Sequence, residues 1–251
     1  MALPKFKRLF LLFAFELALA PLAGAQEFTS QPLDYAQREL WFDEIVGSEN
    51  TGLINGPEYF IAFQGGPTNP FFGSLELSDN QLWFDQAYYP KVQLMYDIYT
   101  DMLVVRHRDK NGIFSMIALD QSKIEGFTLH NHHFRKLTNR KSLGGHVDNG
   151  YYDILYTGKH VMVAAKRMKV ETQTTSRVEY KADDRYYFIR DNQWVSLGGL
   201  SSISGLMKEN ANEIKAFAKS NKINLKKRNE QEMKAIANFC DTLLSARSPR
   251  Q

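Results

Sequence analysis

Cysteine is nearly missing from this chain, because Cys240 is the single one among 251 residues. One thiol cannot form an internal disulfide, so the fold must rely on its core rather than on covalent cross-links. Cys240 lies in a stretch with helical periodicity and has no histidine close to it in the sequence. We therefore interpret it as a small buried apolar side chain, because a nucleophilic cysteine needs a nearby base and a depressed pKa.

A hydrophobic run long enough to span a bilayer, roughly 20 residues, is also missing. The apolar run at residues 9–20 is shorter, follows a basic start at residues 5–8, and precedes an A-x-A exit at residues 23–25. These are the three parts of a secretory signal peptide. We predict cleavage after Ala25 and a secreted or periplasmic protein with no integral membrane segment afterwards; an uncleaved anchor is the alternative. The residue that follows is Gln26, whereas a bacterial lipid anchor requires cysteine there.

A strong excess of one charge is missing as well. The formal net charge is +3, from 31 basic and 28 acidic residues. Residues 1–25 contain three of the basic residues and one of the acidic ones, so the rest of the chain is nearly neutral. Nucleic-acid-binding domains usually carry a marked positive excess. We therefore predict no nucleic-acid partner.

The common catalytic and nucleotide-binding motifs do not occur either. The sequence contains no G-x-S-x-G nucleophile elbow, no G-x-x-x-x-G-K-[ST] phosphate loop and no G-x-G-x-x-G dinucleotide fingerprint. We therefore predict no cofactor. These absences favour a non-enzymatic protein over an enzyme.

Residues 58–197 have the two-residue period of β-strands. In one run Val92, Leu94, Tyr96 and Ile98 fall on the same face, as in a half-buried strand. Turn signals rich in Asp, Asn and Gly separate such runs, for example at residues 109–112, 157–158 and 191–192. The pattern predicts about eleven to thirteen antiparallel strands joined by hairpins.

Residues 198–251 change to the helical period. One apolar face covers residues 204–221, and a second helix is predicted to begin near Asn229, which can act as its N-cap. The predicted class is α+β: a mainly antiparallel β meander, as a curved sheet, open barrel or sandwich, with a C-terminal helical hairpin packed on it. We divide the chain into a signal peptide (1–25), an irregular or short helical segment (26–57), the β domain (58–197) and the helical hairpin (198–251).

A histidine-rich run is the strongest candidate for a metal site. Within residues 129–134, strand alternation would place His130 and His132 on one face and His133 on the other. Together with His146, which follows a loop, His130 and His132 give three ligands that suit zinc or copper. Histidines at a turn are also common as surface or hydrogen-bonded structural residues, and that interpretation stays open.

Aromatic doublets offer the other candidate site. Tyr88, Tyr151 and Tyr186 each belong to a tyrosine pair, of which one member should face the core and the other the opposite side of the sheet. The outer rings could line a ligand groove, or the C-terminal helices could cover them. Four carboxylates lie near predicted strand ends: Asp97, Asp101, Asp120 and Asp153. Two of them could form a glycosidase pair, or all could cap turns.

Several segments together resemble a known group of proteins. They are residues 55–59 (NGPEY), 69–72 (NPFF), 92–99 (VQLMYDIY), 127–134 (FTLHNHHF), 150–159 (GYYDILYTGK) and 184–187 (DRYY), in that order. The chain resembles a family of secreted, β-rich proteins from Bacteroidetes-type bacteria that has no assigned function. The resemblance covers most of the chain after residue 25 and implies the compartment and the β-rich form. It carries no catalytic residues.

From these observations we expect a non-enzymatic binding or scaffold protein of the bacterial envelope. Its partner would be an apolar ligand or another envelope protein held against the sheet. The alternative from a different class is a metal-assisted hydrolase that uses His130, His132 and His146. An integral outer-membrane barrel fits less well, because its strands need roughly 9–11 residues each.

Overall fold

The computed structural model describes residues 52–60, 68–109, 111–138, 141–142, 147–173 and 178–247. All of them belong to one compact unit, Tyr35–Gln251. The predicted signal peptide, most of the segment 26–57 and His146 lie outside the described residues.

The β domain consists of thirteen described strands. They are β1 (Asp79–Phe84), β2 (Ala87–Asp97), β3 (Met102–Arg108), β4 (Phe114–Ala118), β5 (Ile124–Leu129), β6 (His132–Leu137), β7 (Lys141–Ser142), β8 (Gly150–Thr157), β9 (Val161–Lys166), β10 (Lys169–Gln173), β11 (Val178–Ala182), β12 (Arg185–Arg190) and β13 (Gln193–Ser196). Short 3-10 helices cover Gly52–Ile54, Lys208–Asn210 and Leu225–Lys227.

Eleven strands form one open, curved sheet in the order β4-β3-β2-β1-β5-β6-β8-β9-β12-β13-β7. All described pairings in it are antiparallel except the short one between β13 and β7. Strands β10 and β11 form a separate two-stranded hairpin between β9 and β12. The structure confirms the predicted α+β meander, in the form of a curved sheet.

Three hairpins use two-residue turns with a left-handed backbone, at residues 85–86, 130–131 and 191–192. The φ angles are 52° and 67°, 49° and 66°, and 50° and 59°, respectively. Two successive positive φ angles match the right-handed twist of the flanking strands, and Asp and Asn tolerate that conformation better than most residues. His130 therefore lies in a turn and not on a strand, so the alternation that we assumed for His130 and His132 does not hold.

The hydrophobic core lies mainly on one face of the sheet. Val92, Leu94, Tyr96 and Ile98 all belong to a buried cluster under β1 to β6, as their alternation predicted. A second cluster joins β9, β12 and β13 to the helices. A third lies on the opposite face of β8, β9, β12 and β13 and contains Trp194. Both faces of this part of the sheet are thus covered.

Three helices follow the sheet: α1 (Leu200–Leu206), α2 (Ala211–Ser220) and α3 (Glu230–Arg247). The single helix predicted over residues 204–221 is in fact two, because the chain leaves helical geometry at Met207, which has φ −124° and ψ 57°. The predicted start of the last helix is confirmed. The side chain of Asn229 accepts hydrogen bonds from the backbone N–H groups of Gln231 (2.9 Å) and Glu232 (3.3 Å).

The last helix also fastens a hairpin turn of the sheet. The Asp241 carboxylate on α3 accepts backbone hydrogen bonds from Lys159 (3.0 Å), His160 (2.6 Å) and Val161 (3.2 Å), in the turn between β8 and β9. A side chain at Gly158 would place its Cβ 2.5 Å from the Asp241 carboxyl group. The absence of a Cβ there lets the helix approach the turn. Cys240, the neighbour of Asp241, is fully buried in the helix–sheet cluster, as expected.

Candidate functional site

An aromatic pocket of about 460 Å³ lies where β2 ends and the β10–β11 hairpin approaches the sheet. Its walls come from the segment before β1, the β2–β3 turn, the ends of β3 and β4, and the hairpin. Four aromatic rings line it: Tyr59, Phe60, Tyr99 and Tyr180. Three carboxylate residues accompany them: Glu58, Asp97 and Glu171. We call this the aromatic pocket.

Asp97 organises the inner end of the aromatic pocket. It is 3% exposed. Its Oδ2 accepts a hydrogen bond from the Tyr59 hydroxyl (2.7 Å), and its Oδ1 accepts two from the backbone N–H groups of Tyr99 (2.9 Å) and Thr100 (3.0 Å). Burial, together with the hydrogen bond to Asp97, raises the pKa of the Tyr59 hydroxyl well above its ordinary value. Asp97 thus holds both the ring of Tyr59 and the turn that carries Tyr99.

The outer rings of the pocket remain open to solvent. Phe60 is 76% exposed and Tyr99 is 44% exposed. The rings of Tyr99 and Tyr180 meet edge to face, with centroids 5.4 Å apart. The negative charge of nearby Glu171 raises the pKa of the Tyr99 hydroxyl. Rings held in such fixed geometry offer apolar contact area without first having to be ordered.

The hairpin side of the pocket is held in place by polar contacts. Glu171 on β10 and Tyr180 on β11 are direct cross-strand partners, so their side chains lie on the same face. The Lys169 ammonium donates hydrogen bonds to the carbonyls of Asn69 (2.7 Å) and Phe71 (2.6 Å). The backbone N–H of Tyr180 donates one to the Thr68 hydroxyl (2.7 Å). The segment 68–71 therefore fixes the hairpin against the end of the main sheet.

A second polar group, which we call the Arg167 network, lies between the two hydrophobic clusters of the same face. Arg167 follows β9, and its side chain is 6% exposed. The Asp153 carboxylate is 1% exposed. It accepts hydrogen bonds from the Nε (2.9 Å) and the Nη2 of Arg167. Nη1 donates to Asp184 (2.8 Å), and Nη2 pairs with Glu230 at the start of α3 (2.7 Å). Arg167 therefore joins β8, the chain entering β12, and α3.

The histidines predicted as metal ligands are placed differently from one another. His132 is on β6, and its Nδ1 lies 2.7 Å from the Asp153 carboxylate. His130 lies in the preceding turn. The ring centroid of Phe72 lies 6.3 Å from that of His130 and 5.0 Å from that of His132. Among the described residues, no group of three His, Cys, Asp or Glu side chains is placed to hold a metal ion. Because His146 is not described, the three-histidine site stays a prediction.

The tyrosines predicted as ligand-binding residues do not line the aromatic pocket. Tyr151 (2% exposed) and Tyr186 (9%) are buried in the two clusters of the core face. Their neighbours Tyr152 and Tyr187 are buried in the cluster on the opposite face. Both members of these doublets are thus covered, so neither face is open for a ligand groove at these rings. Tyr88 is half-buried and meets the exposed ring of Trp83, with centroids 5.2 Å apart.

The helices cover part of the aromatic residues, which is one of the two outcomes considered for them. Tyr186 and Phe188 share a buried cluster with Met233, Ile236 and Ala237 of α3. The Tyr186 hydroxyl also accepts a hydrogen bond from Nη1 of Arg167 (3.3 Å), which extends the Arg167 network into the core. The rings that line the aromatic pocket come from other positions: the adjacent Tyr59 and Phe60 precede β1, Tyr99 lies in the β2–β3 turn, and Tyr180 lies on β11.

Comparisons of the chain with protein-family models, with curated proteins and with solved structures found no match. Among the described residues, no helix is long and apolar enough to cross a membrane. The function must therefore be inferred from the geometry of the aromatic pocket and of the Arg167 network.

Proposed function

We propose that this protein is a non-enzymatic binding protein of the bacterial envelope, which holds a small ligand with an apolar surface in the aromatic pocket. One observation carries the proposal: Tyr59, Phe60, Tyr99 and Tyr180 converge from separate parts of the chain on a single cavity. Its volume of about 460 Å³ lies within the range of small-molecule sites, about 300–1,000 Å³. Ligand sites are typically concave, mainly apolar and equipped with a few fixed polar groups.

The side chains that line the aromatic pocket are held in place by contacts within the protein, which supports binding as its role. Asp97 fixes Tyr59 and the Tyr99 turn by hydrogen bonds, and Lys169 fixes the hairpin that carries Tyr180. Side chains ordered in advance lose little conformational entropy when a ligand arrives. Two of the lining rings are also substantially exposed, so a ligand would remove apolar surface from water.

The envelope location rests on the signal-type sequence at residues 1–25, which the described residues do not include. Intact-mass spectrometry of the protein recovered from outside the cytoplasm should show a chain that begins at Gln26. A chain that retains residues 1–25 would contradict the proposed cleavage.

Binding is tested with an uncharged probe of suitable size, 3,3-dimethyl-1-butanol, followed by two-dimensional amide NMR of the ¹⁵N-labelled protein. We expect saturable shifts at millimolar concentrations for the amides of Tyr99, Thr100, Glu171 and Tyr180. Tyr99→Leu should weaken these shifts. The matched control is Tyr88→Leu, which changes the same residue type outside the aromatic pocket. Shifts that are scattered over the surface, or none at all, would contradict the proposal.

A second candidate, the metal-assisted hydrolase, is favoured by one contact. The Nδ1 of His132 is hydrogen-bonded to the buried Asp153 carboxylate. Such a pairing orients the other ring nitrogen, Nε2, in many histidines that bind metals. Metal analysis of the purified protein tests this candidate. The hydrolase hypothesis requires a stoichiometric transition metal in the protein and its loss in the His132→Ala variant. Arg167 donates to the same carboxylate, which makes a purely structural role for Asp153 sufficient.

A further inference from the structure

The charge of the aromatic pocket selects among ligands with an apolar surface. Glu58, Asp97 and Glu171 line it, and none of the described lining residues is Lys, Arg or His. Lys169, on the same strand as Glu171, donates its ammonium hydrogen bonds to the carbonyls of Asn69 and Phe71. The pocket therefore combines aromatic rings with negative charge, and both attract a cation.

The hydrogen-bonding capacity of the buried carboxylate, Asp97, is largely occupied. Asp97 accepts three hydrogen bonds, from the Tyr59 hydroxyl and from the backbone of Tyr99 and Thr100. A carboxylate has about four acceptor sites. Glu171 is exposed to solvent and accepts a hydrogen bond from the Gln173 side-chain amide (3.4 Å). The inner pocket thus offers negative potential with few vacant acceptors.

This combination distinguishes between kinds of cation. A primary ammonium is a compact, strongly hydrated charge with three N–H donors, each of which needs an acceptor when it leaves water. A quaternary ammonium has no N–H donor, and its methyl groups carry both the charge and the apolar surface. Aromatic rings with nearby carboxylates are well suited to such a group.

We propose that the ligand of the aromatic pocket carries a quaternary ammonium group whose other end is uncharged, as in choline. The inference rests on the proposed function, because it assumes that the pocket binds a ligand at all. An anionic group close to the ammonium would be repelled by Glu58, Asp97 and Glu171. The ligand is therefore a free small cation, not a zwitterion such as glycine betaine or a phosphocholine headgroup.

The decisive experiment compares choline with 3,3-dimethyl-1-butanol, which replaces its nitrogen by carbon and keeps its shape. Isothermal titration calorimetry or NMR titration at low ionic strength should give a dissociation constant about tenfold lower for choline. Equal affinity would overturn the inference about charge and leave the proposed binding function standing. Failure of both compounds to bind would overturn both.

Two pairs of variants separate the contributions of charge and of the ring. Glu171→Gln should weaken choline several-fold and leave the neutral probe unchanged, while Glu76→Gln, an equal charge change at an exposed site outside the pocket, should change neither. Tyr99→Leu should weaken both probes, whereas Tyr99→Phe keeps the ring and should retain most of the choline affinity. An equal effect of Glu171→Gln and Glu76→Gln would show that the pocket does not sense the charge.

Two further experiments test whether the ligand is a free small cation rather than a zwitterion or a lipid headgroup. Glycine betaine should bind more weakly than choline, since its carboxylate enters a negative pocket. Flotation with phosphatidylcholine vesicles should leave the protein unbound. Betaine binding as tight as choline binding, or vesicle binding that choline displaces, would contradict the assignment to a free small cation.

Discussion

Substitution of Arg167 by methionine is the strongest stability test that the fold offers. The Arg167 side chain is 6% exposed, and that of its partner Asp153 is 1% exposed. Methionine fills a similar space without the charge, so the Asp153 carboxylate would remain buried without its main partner. Breaking a buried ion pair from one side costs about 3–5 kcal/mol. We expect Arg167→Met to lower the free energy of unfolding by that amount.

The matched control is Arg185→Met. Arg185 is 48% exposed and reaches Asp148 and Asp183 only at 3.9 Å. Exposed ion pairs contribute about 0–1 kcal/mol, so this variant should be nearly neutral. Urea denaturation at pH 7.5, followed by tryptophan fluorescence and circular dichroism, measures both variants under the same conditions. If Arg167→Met lowers the free energy of unfolding no more than Arg185→Met does, the buried ion pair does not contribute as argued.

Two additional variants show where the energy comes from. Arg167→Lys keeps the charge but cannot reach Asp153, Asp184 and Glu230 at once, so its cost should be smaller but clear. The double variant Arg167→Met/Asp153→Leu removes both buried charges and should cost less than the sum of the single substitutions. Because Glu230 begins α3, hydrogen exchange should also accelerate in the first turn of α3 in Arg167→Met.

Other predictions concern the contacts of α3. Burial raises the pKa of the Cys240 thiol to about 12, so Ellman's reagent at pH 8 should modify it only after unfolding in urea. Asp241→Asn should cost about 1–2 kcal/mol at pH 7, because three backbone donors would lose a charged acceptor. Although burial acts to raise the pKa of Asp241, these hydrogen bonds outweigh it and lower the pKa. Its contribution is therefore present at neutral pH and lost as the pH falls through the folded-state pKa, so urea titrations should show the gap to Asp241→Asn closing in acid. Gly158→Ala should destabilise by displacing the Asp241 carboxylate, and the two substitutions should not be additive in the same assay.

The alternation of apolar residues and the helix-capping signals in the sequence correctly predicted strand faces and a helix start. Val92, Leu94, Tyr96 and Ile98 share one buried face, as their alternation indicated. Asn229 caps α3, as its position before an apolar helical pattern indicated. Both signals arise within a few residues, so they can be read without knowledge of the tertiary fold.

Turn geometry limited the histidine prediction. The alternation rule assumes an unbroken strand, but residues 130–131 form a two-residue turn with positive φ angles. Asn131 was the available signal, because asparagine is enriched at such angles. The structure places His132 beside Asp153 and places His130 in the turn. A hairpin predicted at Asn131 would have separated the two histidines from the beginning.

The aromatic pocket had no comparable local signal. Tyr59, Tyr99 and Tyr180 lie far apart in the sequence and converge because the β10–β11 hairpin approaches the end of β2. Asp97 was noted as a carboxylate near a strand end, but its burial and its three hydrogen bonds depend on the fold. The doublet pattern pointed instead to Tyr151 and Tyr186, because it could not show that both faces of that part of the sheet are covered.

The chain that leaves β9 connects the Arg167 network with the aromatic pocket. Lys166 donates to Asp101 (2.6 Å), Arg167 to Asp153, and Lys169 to the carbonyls of residues 69 and 71, before Glu171 reaches the pocket. Each of these cations is bound by acceptors outside the pocket. The same contacts that fix the hairpin in position therefore hold these cations at acceptors that do not line the pocket. None of these hydrogen bonds involves Glu171, and this supports the negative potential on which the proposed selection of a cation depends.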